Sequence, residues 1–319
     1  MTTKNKLITA SILSTSSIII TSLINKYIKM SAVSKNMLSN SAESLKSIFH
    51  WRLGDIHYTK TGSGKPLLLI HDLDAASSSY EWHKIIPYLS KDYTVYTLDL
   101  LGCGQSEKPC LTYTNYVYVQ LISDFIKSEI GRRTDLIVSG ESSSFVIMAC
   151  NHSPELFGRL MLVNPNSFDK CMQIPGKHTK FLKLLLDLPV IGTLLYQIIH
   201  SYSMTERRFH EEYFYNPYSV KPTYIDHYYE SAYLGDSPKA IFSSLECRYT
   251  NCNIRNALKK IDNSIYIVGG SEEPEIEQTI RDYQSLNSAI ESSVITKTRH
   301  LPQLETPDKL LDLIHIFFA

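Results

Sequence analysis

The stretch Val138-Ser139-Gly140-Glu141-Ser142-Ser143-Ser144-Phe145 most constrains the fold, because an apolar run passes there through a single glycine into a helix-like run. Asp135 to Val138 has the composition of a short buried strand, and Phe145 to Cys150 that of a helix start. Two buried elements joined so tightly need small residues at the bend. Such a strained turn can present a side chain beyond the end of a sheet. Read as Gly-x-Ser-x-Gly, the pattern makes Ser142 the presented residue and Ser144 a small-for-small replacement of the second glycine. A serine cluster by itself is usually only a turn, so the partners decide.

His300 follows the apolar run Ser293 to Thr296 and precedes Leu301-Pro302, just past what reads as a last strand. From there it can take a proton from a serine at the top of the same sheet and return it to a leaving group. Between the two lies Ile265-Tyr266-Ile267-Val268-Gly269-Gly270-Ser271-Glu272-Glu273-Pro274, a strand ending in two carboxylates. Each feature alone has an ordinary reading: a loop histidine, a solvated charge pair. Serine, acid and histidine in that chain order, each at a strand end, favour catalysis.

At these residues the chain resembles the α/β-hydrolase superfamily, from about Phe49 to the C-terminus. Lys65-Pro66-Leu67-Leu68-Leu69-Ile70-His71-Asp72 resembles the third strand and its His-Gly turn. Asp99-Leu100-Leu101-Gly102-Cys103-Gly104-Gln105-Ser106 is similar to the Asp-x-x-Gly-x-Gly-x-Ser loop, and Arg159 to Pro165 to the strand after the elbow helix. The resemblance implies an α/β fold: a mostly parallel sheet with helices on both faces and a helical cap inserted at about 166–262. It implies a triad of Ser142, Glu273 and His300, with Glu273 preferred to Glu272 because Gly270-Ser271-Glu272-Glu273-Pro274 matches the Gly-x-x-Asp-Pro loop. Asp169 is a weaker substitute for the acid. It also implies an oxyanion hole from the backbone N–H groups of Leu73 and Ser143. One departure stands out: Asp72 occupies the place of the glycine in His-Gly, and a carboxylate pointing inward would oppose a developing oxyanion.

The expected activity is hydrolysis of an ester, thioester or related acyl compound, through an acyl-enzyme on Ser142. Family members acting on haloalkanes or epoxides need an aspartate nucleophile, so Ser142 argues against them. The alternative is a catalytically inactive, membrane-tethered binding or scaffold protein, supported by Asp72, Ser144 and Glu273 in place of the family's usual residues.

The 319 residues, 43% hydrophobic, suffice for one large domain. Thirty-two basic and 32 acidic side chains cancel, which gives no reason to expect a nucleic-acid partner. Gly102-Cys103-Gly104 lacks the third glycine of a dinucleotide loop, and no histidine or cysteine cluster has metal-ligand spacing, so no cofactor or metal is expected. The six cysteines form no Cys-x-x-Cys pair and favour free thiols in a reducing compartment.

Leu7 to Ile24 carries no charge and is flanked by Lys4 and Lys6 before and by Lys26 and Lys29 after. It reads as an uncleaved N-terminal membrane anchor, weakened by its serines and threonines, with a cleaved signal or a peripheral helix as rivals. The lysines that follow lean toward a cytoplasmic catalytic domain. Residues 1–30 are thus set apart, 31–47 read as a polar tether, and 48–319 as the catalytic domain. An apolar cap beside an anchor suggests a small lipophilic substrate. Oligomeric state is not legible.

Overall fold

The computed structural model describes residues 3–34 and 45–319, with side chains from residue 15 in the first segment and from residue 47 in the second. Of the expected tether, residues 35–44 lie outside the described residues. A first helix, α1 (Thr3–Val33), precedes an antiparallel hairpin of β1 (Leu45–Trp51) and β2 (Gly54–Thr61).

Alternation then sets in. β3 (Lys65–Ile70) and β4 (Tyr93–Leu98) lead to α2 (Asn115–Phe125), β5 (Thr134–Ser139), α3 (Ser142–His152) and β6 (Phe157–Val163). A long helical insertion follows, including α4 (Lys177–Asp187), α5 (Ile191–Ile199), α6 (Tyr202–Arg208), α7 (Pro222–Tyr233) and α8 (Pro238–Glu246). The chain closes with β7 (Ile265–Gly270), α9 (Ile276–Leu286), β8 (Glu291–Ile295) and α10 (Pro307–Phe318).

The eight strands form one sheet in the order β1-β2-β4-β3-β5-β6-β7-β8. Only β1–β2 and β2–β4 pair antiparallel; the other pairs are parallel. Parallel strands covered on both faces need apolar residues at nearly every position, which explains Leu67-Leu68-Leu69-Ile70 and Leu136-Ile137-Val138. Alternate side chains divide the core. Leu67, Leu69, Ile137 and Val163 pack with Leu310 and Ile314 of α10, while Leu68, Ile70, Val138 and Leu162 join the larger core that holds Phe145 of α3. β3, β5 and β7 are thereby clamped from two sides, whereas the edge strand β8 buries only Ile295, on one face.

Two differences from the sequence reading concern the N-terminus. Rather than standing apart, the later half of α1 lies on the helical insertion: Gln197 Nε2 donates to Asn25 Oδ1 at 3.0 Å, and Lys29 Nζ donates to the Gly235 carbonyl. Among the described residues no single helix is long and apolar enough to cross a membrane; only α4 and α5 together, bent by 93°, reach that length and composition.

Candidate active site

The turn between β5 and α3 consists of Gly140 and Glu141, and the left-handed backbone (φ +54°) belongs to Gly140. Ser142 is already in the first turn of α3 and fully buried, and its Oγ donates to the His71 carbonyl at 2.7 Å. Ser142, expected as the nucleophile, is thus engaged with the His71 carbonyl rather than presented at the bend. The strained position that aims a side chain outward falls two residues earlier, on a residue with no side chain. In that frame Ser142 stands where the motif has its second glycine.

What fills the vacated space is Asp72. A β-carbon added to Gly140 would lie 2.1 Å from both Cγ and Oδ1 of Asp72, so glycine is the residue that admits the carboxylate. Asp72 follows β3 in an irregular loop, and its Oδ1 accepts the N–H of Leu73 at 2.8 Å and of Glu141 at 2.7 Å. One of these donors comes from the loop after β3 and the other from the residue after the elbow position, the two sources of an oxyanion hole in this geometry. Of the two expected oxyanion donors, the Leu73 N–H is engaged with Asp72 Oδ1, and the Ser143 N–H with the Gly140 carbonyl at 3.2 Å within the helical turn. A carboxylate of the protein thus takes both backbone N–H groups at the place where an oxyanion hole is expected.

Oδ2 of Asp72 lies 3.0 Å from His300 Nε2, and His300 Nδ1 lies 3.1 Å from Glu273 Oε1. Glu273 is therefore the acid on His300, whereas Glu272 takes a hydrogen bond from its neighbour Ser271. Asp169 sits in a short helix, Phe168–Cys171, at the start of the insertion. The three side chains of the Asp72–His300–Glu273 chain are each only about one-fifth exposed, at 18%, 20% and 20%. Burial works to lower the His300 pKa, but hydrogen bonds and charge from Asp72 and Glu273 raise it to about 10. Burial works to raise that of Asp72, but His300 and the Glu141 N–H bring it down to about 2. The two carboxylates thus favour the imidazolium form of His300 at neutral pH.

Three further residues were not singled out in the sequence. Glu81 is buried beneath Asp72; its Oε2 accepts the Asp72 N–H at 3.2 Å and its Oε1 the Tyr228 hydroxyl at 3.0 Å. Burial and the Asp72 charge push its pKa up to about 8. Tyr213 of the insertion stacks on the His300 ring, with centroids 5.6 Å apart. Arg208 of α6 reaches Asp74 at 3.7 Å. The insertion therefore forms one wall of the site. No short-range pattern marks Glu81, Tyr213 or Arg208. Asp72 and Gly140 did carry a signal, as two departures whose side-chain volumes compensate.

The ion pair fixes a pH window. His300, raised above the ordinary histidine value of about 6.5, contributes stability that is complete below that value and lost as pH rises through about 10. Asp72, depressed below the ordinary value of about 3.9, contributes stability that is complete above it and lost as pH falls through about 2. NMR of 15N-labelled histidine should find His300 doubly protonated at pH 8 in the wild type. In Asp72→Asn its midpoint should fall by about 1 to 3 pH units. A neutral His300 at pH 8 in the wild type would contradict the ion pair. A second expectation follows from the volumes. Asp72→Gly combined with Gly140→Ser should empty the oxyanion hole, put a serine against His300, and confer hydrolysis of p-nitrophenyl acetate. Gly140→Ser alone should crowd Asp72 and lower the melting temperature without gain of activity, and an unchanged melting temperature would refute the close packing.

A model of the alpha/beta hydrolase family matches residues 67–313. Among curated proteins, the chain is 37% identical over 75 residues to 2-hydroxy-6-oxo-6-(2'-aminophenyl)hexa-2,4-dienoic acid hydrolase of Metapseudomonas resinovorans, covering 23% of this chain and 26% of that one. It is 48% identical over 54 residues to a soluble epoxide hydrolase of a Corynebacterium species, covering 17% and 18%. The matched stretches thus span about a quarter or less of these relatives' own length. In three dimensions it superposes on the epoxide hydrolase CorEH, solved without ligand, with a TM-score of 0.71 and 22% identity over 87% of this chain and 99% of that one, a likeness of fold. With the sheet order, the elbow between β5 and α3 and the histidine after β8 already in place, the chain belongs to the alpha/beta hydrolase family.

Proposed function

We propose that the protein is a hydrolase of small molecules whose reactive group is the Asp72 carboxylate, acting on an electrophilic saturated carbon of the epoxide class. The observation that carries this reading is the position of Asp72, which stands at the elbow in the space left by Gly140, with Oδ1 on two backbone N–H groups and Oδ2 toward His300. A carboxylate so held is ionised and oriented. Acyl transfer through Ser142 has no support from this arrangement, since Ser142 is turned to the His71 carbonyl and the donors for a substrate oxyanion are occupied. The earlier objection to epoxides was the want of an aspartate nucleophile. Asp72 supplies one from the adjacent loop, and the short match to a soluble epoxide hydrolase agrees with it.

The steps balance. Oδ2 attacks an epoxide carbon, the carbon–oxygen bond breaks, and the alkoxide takes the proton from His300 Nε2, leaving a hydroxyalkyl ester on Asp72. Esterification removes the carboxylate charge that held the imidazole protonated, so His300, now neutral, has lost part of what raised its pKa. It can then draw a proton from water, whose oxygen attacks Cγ of Asp72. The oxyanion that forms on Oδ1 lies on the N–H groups of Leu73 and Glu141, and Glu273 steadies the imidazolium. Collapse of the adduct releases a diol and restores the carboxylate and the imidazolium, with one water consumed.

A second reading, a hydrolase-fold protein that binds without catalysis, is favoured by the same closed ion pair, in which both nitrogens of His300 are engaged. Trapping separates the two. With protein in excess over an epoxide such as styrene oxide, an acid quench of the wild type during the first turnover should trap an adduct of the substrate's mass on the peptide containing Asp72, and Ser142→Ala should keep wild-type turnover. Absence of any adduct and of turnover across an epoxide panel would favour the binding protein. Loss of ester hydrolysis in Ser142→Ala would restore the serine.

A further inference from the structure

Two helices on the outer side of the insertion meet through polar side chains and turn most of their large apolar residues outward, with Ile28 and Ile199 packed against the core. In α1 the residues turned toward the protein are Thr21, Asn25, Lys29 and Ala32, joined to it by the Asn25–Gln197 hydrogen bond and the Lys29 contact to the Gly235 carbonyl. Its outward residues are Ile19, Ile20, Leu23, Tyr27 and Met30, each between 54% and 74% exposed. The neighbouring α5 repeats the pattern: Gln197 and Tyr196 are buried, whereas Ile191, Leu194 and Ile198 are between 42% and 63% exposed. On α4, Phe181 and Leu184 are 63% and 62% exposed.

In water an amphipathic helix turns its apolar stripe to the core and its polar residues outward. The reverse arrangement on two helices that touch through a polar pair matches an apolar medium outside. A single exposed leucine needs no such explanation, but a contiguous apolar surface does. Charge selects among the possible occupants. Lys26 on α1 and Lys177 and Lys180 on α4 are exposed beside these apolar residues, as on helices that lie in the headgroup region of an anionic bilayer.

We infer that the outer face of α1, α4 and α5 seats on an anionic lipid bilayer and lies in the plane of its interface, so that the insertion above the site meets the membrane side-on. Substrate would then reach the site from the lipid phase, a consequence that rests on the proposed hydrolase reading; the docking itself does not.

Flotation of the full chain with vesicles tests it. The protein should float with vesicles of phosphatidylcholine and phosphatidylglycerol, less with phosphatidylcholine alone, and the floated fraction should drop at least tenfold in Leu23→Glu/Ile198→Glu. Because both positions are exposed, that variant should keep the wild-type circular dichroism spectrum. As a check independent of the double variant, Tyr27→Trp should be quenched by lipids brominated near the headgroup. Wild-type protein that stays at the bottom of the gradient would overturn the inference. So would an apolar face covered in a stable dimer, seen as twice the chain mass by light scattering and as dissociation in Leu23→Glu/Ile198→Glu.

Discussion

The contact between Asp72 and His300 organises the site. In the low-polarity region at the C-terminal ends of the strands, either charge alone would be costly to bury. Together with Glu273 on the far side of the imidazole and two backbone N–H groups on the near oxygen of Asp72, each charge is met by an opposite charge or an aligned dipole. Gly140 is a condition of this arrangement, because any β-carbon at that position would displace the carboxylate. The sheet supplies the rigidity: β3, β5, β7 and β8 hold the loops that carry Asp72, Gly140, Glu273 and His300, and the first three of these strands are packed on both faces.

Much of this architecture is legible in the amino-acid order. Short continuous apolar runs such as Leu67 to Ile70 fit strands buried on both faces, and their alternation with helical segments leads to the parallel sheet that is observed. His300 and Glu273 are legible too, since each follows a strand at a place where the family has a triad member. The frame of the elbow is not. Val138 to Ser144 contains a single glycine, and a motif that asks for two lets it match either the first glycine or the nucleophile itself. Only backbone direction decides, and φ at Gly140 decides it. The direction of the Asp72 side chain was open for the same reason. Glu81, Tyr213 and Arg208 come to the site by tertiary packing from remote segments, which no local pattern records.

A carboxylate in place of a hydroxyl changes the available chemistry more than it changes the shape. A serine needs a neutral histidine and an empty pair of N–H donors; Asp72 raises the pKa of His300 and fills the donors. Those facts that disfavour acyl transfer suit a mechanism in which the carboxylate itself bonds to carbon, because its charge then disappears and releases the histidine to act as a base. The helical insertion contributes to both ends of the molecule. Tyr213 and Tyr228 reach the site, and the outer helices carry the apolar face.

Oxygen labelling tests attack by Asp72 most directly. In a single turnover of an epoxide in 18O-water with excess protein, attack by Asp72 predicts that the diol carries unlabelled oxygen and that the label appears in the Asp72 carboxylate of the recovered peptide. Label in the first-turnover diol with none in Asp72 would mean that water attacks the substrate directly, and would contradict a nucleophilic Asp72.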